Sequence, residues 1–117
     1  MTKEEKQLLL KDLCARFPYG VMCKLSVKDV DISITEKLDL GGLEHFIYGT
    51  MDVLPYLRPM SSMTEEEENE YRAINCYEGL FPRNEDALDY VLSHHLDFRG
   101  LIPVGLALEA SEGMYKN

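Results

Sequence analysis

The chain has no tryptophan, only three cysteines and five prolines, and no apolar run approaching membrane-spanning length. Each scarcity removes a class of protein. Cys14, Cys23 and Cys76 are widely spaced and form no CxxC pair, so zinc-ribbon and thioredoxin-like readings lose their support. Three buried thiols in a reducing cytosol is the plain expectation. The only apolar run near the start, Leu8 to Leu10, is too short for a signal-peptide core, which points to a cytoplasmic protein. Basic residues are also few. Twelve Lys and Arg stand against 21 Asp and Glu, for a net charge of −9 and a pI near 4.7. That balance argues against direct nucleic-acid binding and against docking on anionic membranes, both of which need clustered cations. No GxSxG elbow, HExxH helix or glycine-rich phosphate loop occurs, so the sequence assigns no catalytic residue, no metal and no cofactor.

What is present is ordinary for a soluble domain: 45% hydrophobic and 28% charged residues in a length of 117, read as a single domain over 1–117. The charge is unevenly placed. Between Thr64 and Asp97 lie ten acids and two bases, whereas the other residues carry eleven acids and ten bases.

The periodicity predicts an α+β fold. Thr2 and Glu5 have capping-box spacing, and Leu9, Leu10, Leu13, Cys14 and Phe17 form a helical stripe up to the Pro18–Gly20 stop. Alternation then takes over in Val21, Cys23, Leu25 and Val27, and again in Val30, Ile32 and Ile34, which predicts a β-hairpin with one buried face. Asp39 to Gly42 reads as a turn and His45 to Tyr48 as a third strand. Pro55 and Pro59 argue against a long regular element from Asp52 to Met63. Thr64 and Glu67 have capping-box spacing for a helix to about Glu78, with Ala73, Ile74, Cys76 and Tyr77 inward and Gly79 as terminator. Asn84 caps a further helix that buries Leu88, Val91 and Leu92. For the 97–117 tail, a short helix and an edge strand stay open. The expected architecture is an N-terminal helix, a small three-stranded antiparallel meander and two or three C-terminal helices packed on the sheet.

Two residue groups are candidate sites. His94, His95 and Asp97 combine imidazoles with a carboxylate, a pattern that can bind a metal or move protons. Adjacent helical residues point about a hundred degrees apart, however, and a helix C-terminus favours histidine on electrostatic grounds alone. Tyr56, Arg58 and Met60 sit in a segment stiffened by prolines and offer interface anchors; the plain alternative is that Tyr56, Leu57 and Met60 lid the open face of the sheet. The acids have local reasons too: Glu65 to Glu68, Glu85 and Asp86 fall in predicted first turns of helices, where the dipole stabilises them. Glu68 and Arg72 have i,i+4 spacing for an ion pair, while Glu66–Glu70 and Glu85–Asp89 place like charges together.

The segments Tyr56-Leu57-Arg58-Pro59-Met60-Ser61-Ser62-Met63-Thr64, Asp97-Phe98-Arg99-Gly100-Leu101-Ile102 and Gly105-Leu106-Ala107-Leu108-Glu109-Ala110 resemble small uncharacterised bacterial proteins of prophage and mobile-element regions in gut bacteria. The resemblance lies mainly in the second half and implies a small cytoplasmic accessory protein without a catalytic residue. The leading functional expectation is a non-enzymatic interaction or regulatory protein that binds another protein, and the acidic excess keeps a basic partner among the options. A small enzyme or metal-binding protein using His94, His95 and Asp97, and an acidic nucleic-acid mimic, are the alternatives.

Overall fold

Thr2 and Glu5 close a reciprocal capping box: Thr2 Oγ1 accepts from the Glu5 N–H at 3.0 Å and Glu5 Oε1 from the Thr2 N–H at 2.8 Å. Helix α1 follows over Lys3–Arg16. The computed structural model describes residues 1–76 and 78–115. It continues through β1 (Met22–Val27), β2 (Ser33–Lys37), α2 (Leu40–Tyr48), β3 (Met51–Leu57), α3 (Glu65–Asn75), α4 (Glu85–Ser93) and β4 (Leu108–Glu109). The fold is α+β, with a four-stranded mixed sheet in the order β2-β1-β3-β4. The first three strands are antiparallel neighbours and β4 runs parallel to β3, in place of the expected three-stranded antiparallel meander.

The hairpin forms where the alternation predicts it, but the third strand does not. His45 to Tyr48 belongs to α2, because Asp39 caps a helix by accepting the Gly42 N–H at 2.7 Å. Gly41 and Gly42 are its first turn. A Cβ on Gly42 would stand 3.2 Å from side-chain atoms of both Leu25 and Leu38, so the missing side chain is what lets α2 approach the sheet.

The third strand is β3, which runs straight through Pro55. The Ala110 N–H donates to Leu57 O at 2.8 Å, so odd-numbered residues of β3 turn their backbone toward β4. Pro55 shares that side, but β4 begins opposite Tyr56, so no ladder bond is lost to the missing N–H. The β1–β3 register ends at Cys23–Pro55. Beyond it the Tyr115 hydroxyl extends the ladder, accepting from Met22 N at 2.9 Å and donating to Tyr56 O at 2.6 Å.

Helices α1 and α2 cover one face of the sheet, where Leu9, Leu13, Leu43 and Phe46 join Cys23, Leu25, Val53 and Leu57 in the main core. A second core of Tyr71, Ala87, Tyr90, Val91 and Leu96 lies between α3 and α4. These two helices therefore pack on each other, and α4 on α1, rather than spreading over the sheet as expected. Thr64 and Glu67 form the predicted capping box and Asn84 caps α4 by accepting the Ala87 N–H at 2.7 Å. Helix α3 ends earlier than expected, at Asn75, with Cys76 (φ 59°) as its left-handed cap, while Gly79 (φ 95°) lies three residues beyond it. Tyr71 and Asn75 are its buried residues, not Ala73 or Cys76; Tyr77 lies outside the described residues. Asn75 is consumed by the α3–α4 connection, donating to Phe81 O and accepting from the Arg83 N–H. The tail resolves as the edge strand β4.

The largest departure is inside α1. Its buried residues are Leu9, Asp12, Leu13 and Arg16, a stripe at i, i+3, i+4 and i+7. Two charged residues thus occupy core positions, and the stripe is rotated away from Cys14, which is exposed. Cys76 is exposed as well, leaving Cys23 as the one buried thiol. Asp12 and Arg16 are both fully buried and joined at 2.8 Å. Arg99 Nε donates to the other Asp12 oxygen at 3.0 Å, and Arg16 Nη2 donates to Leu96 O at 2.8 Å. One carboxylate thereby fastens α1 to the segment after α4. Removing one partner of a buried pair strands the other charge, so Asp12→Ala is expected to cost about 3–5 kcal/mol. Urea denaturation measures it, and a loss below about 1 kcal/mol would show that the pair is not structural.

Candidate functional site

The two candidate groups meet. At the end of β3 the Arg58 N–H donates to His95 O at 2.7 Å, and the Asp97 N–H donates to Arg58 O at 2.8 Å, forming a short parallel bridge centred on Leu96. His95 reaches this position only by taking a left-handed backbone (φ 58°) directly after the C-terminus of α4. That conformation is unusual for a non-glycine residue and is held by the surrounding bonds.

The neighbouring imidazoles do not converge. His94 stacks on Tyr90 with ring centroids 4.0 Å apart, and its Nδ1 lies 2.9 Å from Tyr90 O, a carbonyl that can only accept. His95 turns into the protein and stacks on Tyr115 at 3.6 Å with an interplanar angle of 13°. Burial, with the Arg16, His94 and Arg58 charges adding to it, pulls the His95 imidazole down to about 4. The ring is therefore neutral at physiological pH, although a helix C-terminus favours imidazolium. Among the described residues its Nδ1 has no hydrogen-bond partner, and the same holds for the fully buried Nη1 of Arg16.

Asp97 is committed elsewhere. Its two oxygens accept the backbone N–H groups of Leu101 and Ile102 at 2.8 and 2.9 Å, closing the loop that carries Arg99. His45, the third histidine, lies on α2 with Nδ1 2.8 Å from Thr50 Oγ1. Among the described residues no group of three or more His, Cys, Asp or Glu is placed to hold a metal ion. Burial pushes the Cys23 thiol up to about 12, which removes its thiolate at neutral pH.

Tyr56, Arg58 and Met60 are engaged within the chain. Tyr56 is half-buried on the sheet face away from α1 and α2, its hydroxyl 3.4 Å from Thr35 Oγ1. Met60 packs against the second core. Arg58 forms a fork with Glu67 through Nη1–Oε2 at 2.9 Å and Nη2–Oε1 at 2.8 Å, and also reaches Ser62. The Arg58 hydrogen bonds, ahead of the Thr64 N–H, hold the Glu67 carboxyl down to about 2. Glu67 thus serves the helix cap and the ion pair at once. Beside it runs a groove of about 790 Å3 between the Arg58–Thr64 segment and the Glu109–Gly113 segment, with Tyr115 at its side. Its lining contains hydroxyls, two further carboxylates and an arginine already neutralised by Glu67, and among the described residues none of these hydroxyls is hydrogen-bonded to a carboxylate.

Compared with known proteins, the chain matches no family model, no curated protein and no solved structure. Its chemistry is therefore judged from its own surface. The acidic first turns lie as expected, with Glu65 to Glu68 opening α3 and Glu85 and Asp86 opening α4. Arg72 pairs with Glu68 at 2.6 Å. The feature that sequence reasoning missed lies on the other side of the molecule. In the row Ile34–Leu25–Val53 across the sheet, Leu25 and Val53 are 3% and 0% exposed but Ile34 is 49% exposed. Val30 and Ile32 are exposed with it. Their alternation predicts a buried face, but α2 stops covering the sheet at β1. No helix among the described residues is long and apolar enough to cross a membrane.

Two measurements check this description. A histidine with a depressed folded pKa binds its proton first in the unfolded chain. Between pH 6.5 and about 4 the unfolded state therefore holds more protons, and stability falls as the pH falls, by at most about 1.4 kcal/mol per pH unit. His95→Asn keeps a residue tolerant of positive φ and removes this slope, while the loss through Glu67 below pH 4.5 persists. Equal slopes in the two proteins would show that His95 is not buried neutral. Glu67→Gln, which breaks the fork and weakens the cap, is expected to cost about 1–3 kcal/mol in chemical denaturation.

Proposed function

We propose that the protein is a non-enzymatic interaction module that binds another polypeptide through the β2 side of its sheet. The observation that carries this reading is the exposed strand itself. Every residue of β2 is exposed, and the strand closes one edge of the sheet with no neighbour beyond it among the described residues. Edge strands are ordinarily blunted by proline, bulges or inward charges, because unpaired backbone groups recruit further strands. Ser33, Ile34 and Thr35 carry none of these protections, which are confined to the end of the strand, where Glu36 lies on the core face opposite Cys23 and Lys37 follows it. Exposed Val30, Ile32 and Ile34 add apolar area to the same edge.

The groups that would serve catalysis support this reading by being spent on structure: His94 on Tyr90, His95 on Tyr115, and Asp97 on its own loop. Small accessory proteins of the prophage type, which the second half of the chain resembles, suit such a role, as does a cytoplasmic setting. The acidic helices α3 and α4 add a long-range preference against acidic partners rather than a contact surface of their own.

Replacement of Ile34 by Lys tests the siting of the contact. Immobilised wild-type chain is expected to retain a bound polypeptide, including added chain of its own sequence, that the folded Ile34→Lys protein releases. Quantitative mass spectrometry of the two eluates reads the difference. Equal retention by both proteins would remove β2 from the interface, and retention of nothing by the wild type would remove the function.

A further inference from the structure

We infer that the occupant of the β2 edge is a second copy of this chain, paired antiparallel to β2 across a two-fold axis through Ile34. The inference deepens the interaction reading above and rests on it.

The backbone sets which residues can pair. The Val27 N–H donates to Ile32 O and the Leu38 N–H to Val21 O, so even-numbered residues of this strand face β1. Ser33, Thr35 and Lys37 consequently turn their N–H and C=O groups outward, along the free edge. A two-fold axis normal to the sheet at Ile34 sets Ser33 opposite the partner's Thr35, both with outward backbone groups, as a hydrogen-bonded pair. Ile34 then meets the partner's Ile34 as a non-hydrogen-bonded pair, the kind in which side chains come closest. Because the axis is normal to the sheet, both Ile34 side chains lie on the face covered by α1 and α2, where they extend the row of Leu25 and Val53. Asp31, two residues before the strand, falls opposite the partner's Lys37, and the symmetry repeats that opposite-charge pair, while Ile32 falls opposite the partner's Glu36. Shifting the axis to Thr35 sets Ile34 against the partner's Glu36 and leaves Lys37 facing a serine. The register about Ile34 is thus the one that sets Asp31 opposite the partner's Lys37.

The charge distribution opposes such a contact least at this edge. Residues 28–37 carry Lys28 and Lys37 against Asp29, Asp31 and Glu36, a net charge of −1. The acid-rich segment from Thr64 to Asp97 belongs to α3 and α4, and β2 is the sheet edge opposite β4. A chain with a net charge of −9 repels its own kind, and this edge is where two copies meet with little local repulsion. The product is one continuous sheet to which each copy contributes its four strands.

Sedimentation velocity of the full chain across micromolar concentrations is expected to show a monomer–dimer equilibrium. Ile34→Lys places like charges across the axis and is expected to raise the dimer dissociation constant about tenfold or more. Lys37→Asp sets an aspartate against the partner's Asp31 and weakens the dimer; adding Asp31→Lys to it restores the pair with its charges exchanged. Each variant's thermal melt is recorded alongside, since the Lys37 stem crosses Gly20. A monomer at every concentration, a dimer indifferent to Ile34→Lys, or a charge exchange that fails to restore affinity would each overturn the two-fold pairing. If the chain is monomeric yet captures a different protein through Ile34, the second copy is excluded and the interaction reading stands. If it is monomeric and captures nothing that depends on Ile34, both are lost.

Discussion

The buried carboxylate of Asp12 is the constraint around which the chain is organised. It sits on the core face of α1 between Arg16, four residues on, and Arg99, from a loop far away in sequence. A charge in a dry interior is tolerable only when paired and hydrogen-bonded, so the positions of both arginines follow from it. Arg16 in turn spends Nη2 on Leu96 O, which fixes the end of α4 against α1. Asp97 ties down the same loop through Leu101 and Ile102, and the Arg58 backbone brackets it from β3. Two guanidiniums around one carboxylate leave a net positive interior. Burial first, and the Arg16 charge after it, keep His95 neutral at this joint between α4 and β3.

This arrangement separates the molecule into an internally committed half and an unfinished one. Around α3, α4 and the tail, the polar groups that look chemically promising have partners: Arg58 with Glu67, His94 with Tyr90, and Tyr115 with the end of the β1–β3 ladder. At β2 the reverse holds. Among the described residues the strand has an inner neighbour and no outer one, and its Ile34 continues a core row that the helices do not cover. Interaction at that edge needs neither a cofactor nor a mobile segment, only another strand to complete what the sheet begins. The negative charge lies elsewhere because two helix N-termini attract carboxylates, as Glu65 to Glu68, Glu85 and Asp86 show.

Local signals were legible where local physics decides. The capping boxes at Thr2 and Thr64, the Asn84 cap, the β1–β2 hairpin and the Glu68–Arg72 pair can all be read from spacing, because each is formed by residues a few positions apart. The α+β class follows from the change of period after Gly20. The third strand was misplaced for the converse reason. Gly41 and Gly42 look like a turn until Leu25 and Leu38 are seen above them, and Pro55 looks like a breaker until its missing donor is seen to face the unpaired side of β3. Asp12 and Arg16 carried an i,i+4 signal, but nothing local distinguishes a buried pair from the common solvent-exposed one.

The sequence by itself determined the helix starts, the hairpin, the class of fold, the acid-rich segment and the lack of recognised catalytic motifs, since these depend on neighbours along the chain and on composition. Only the tertiary structure decided that β3 runs through a proline, that β4 joins it in parallel, that His94 stacks on Tyr90 and His95 on Tyr115, and that the alternation of Val30, Ile32 and Ile34 ends on an open edge. Burial is a property of what packs from elsewhere. An alternating strand states which face is apolar, and the rest of the chain decides whether that face is covered.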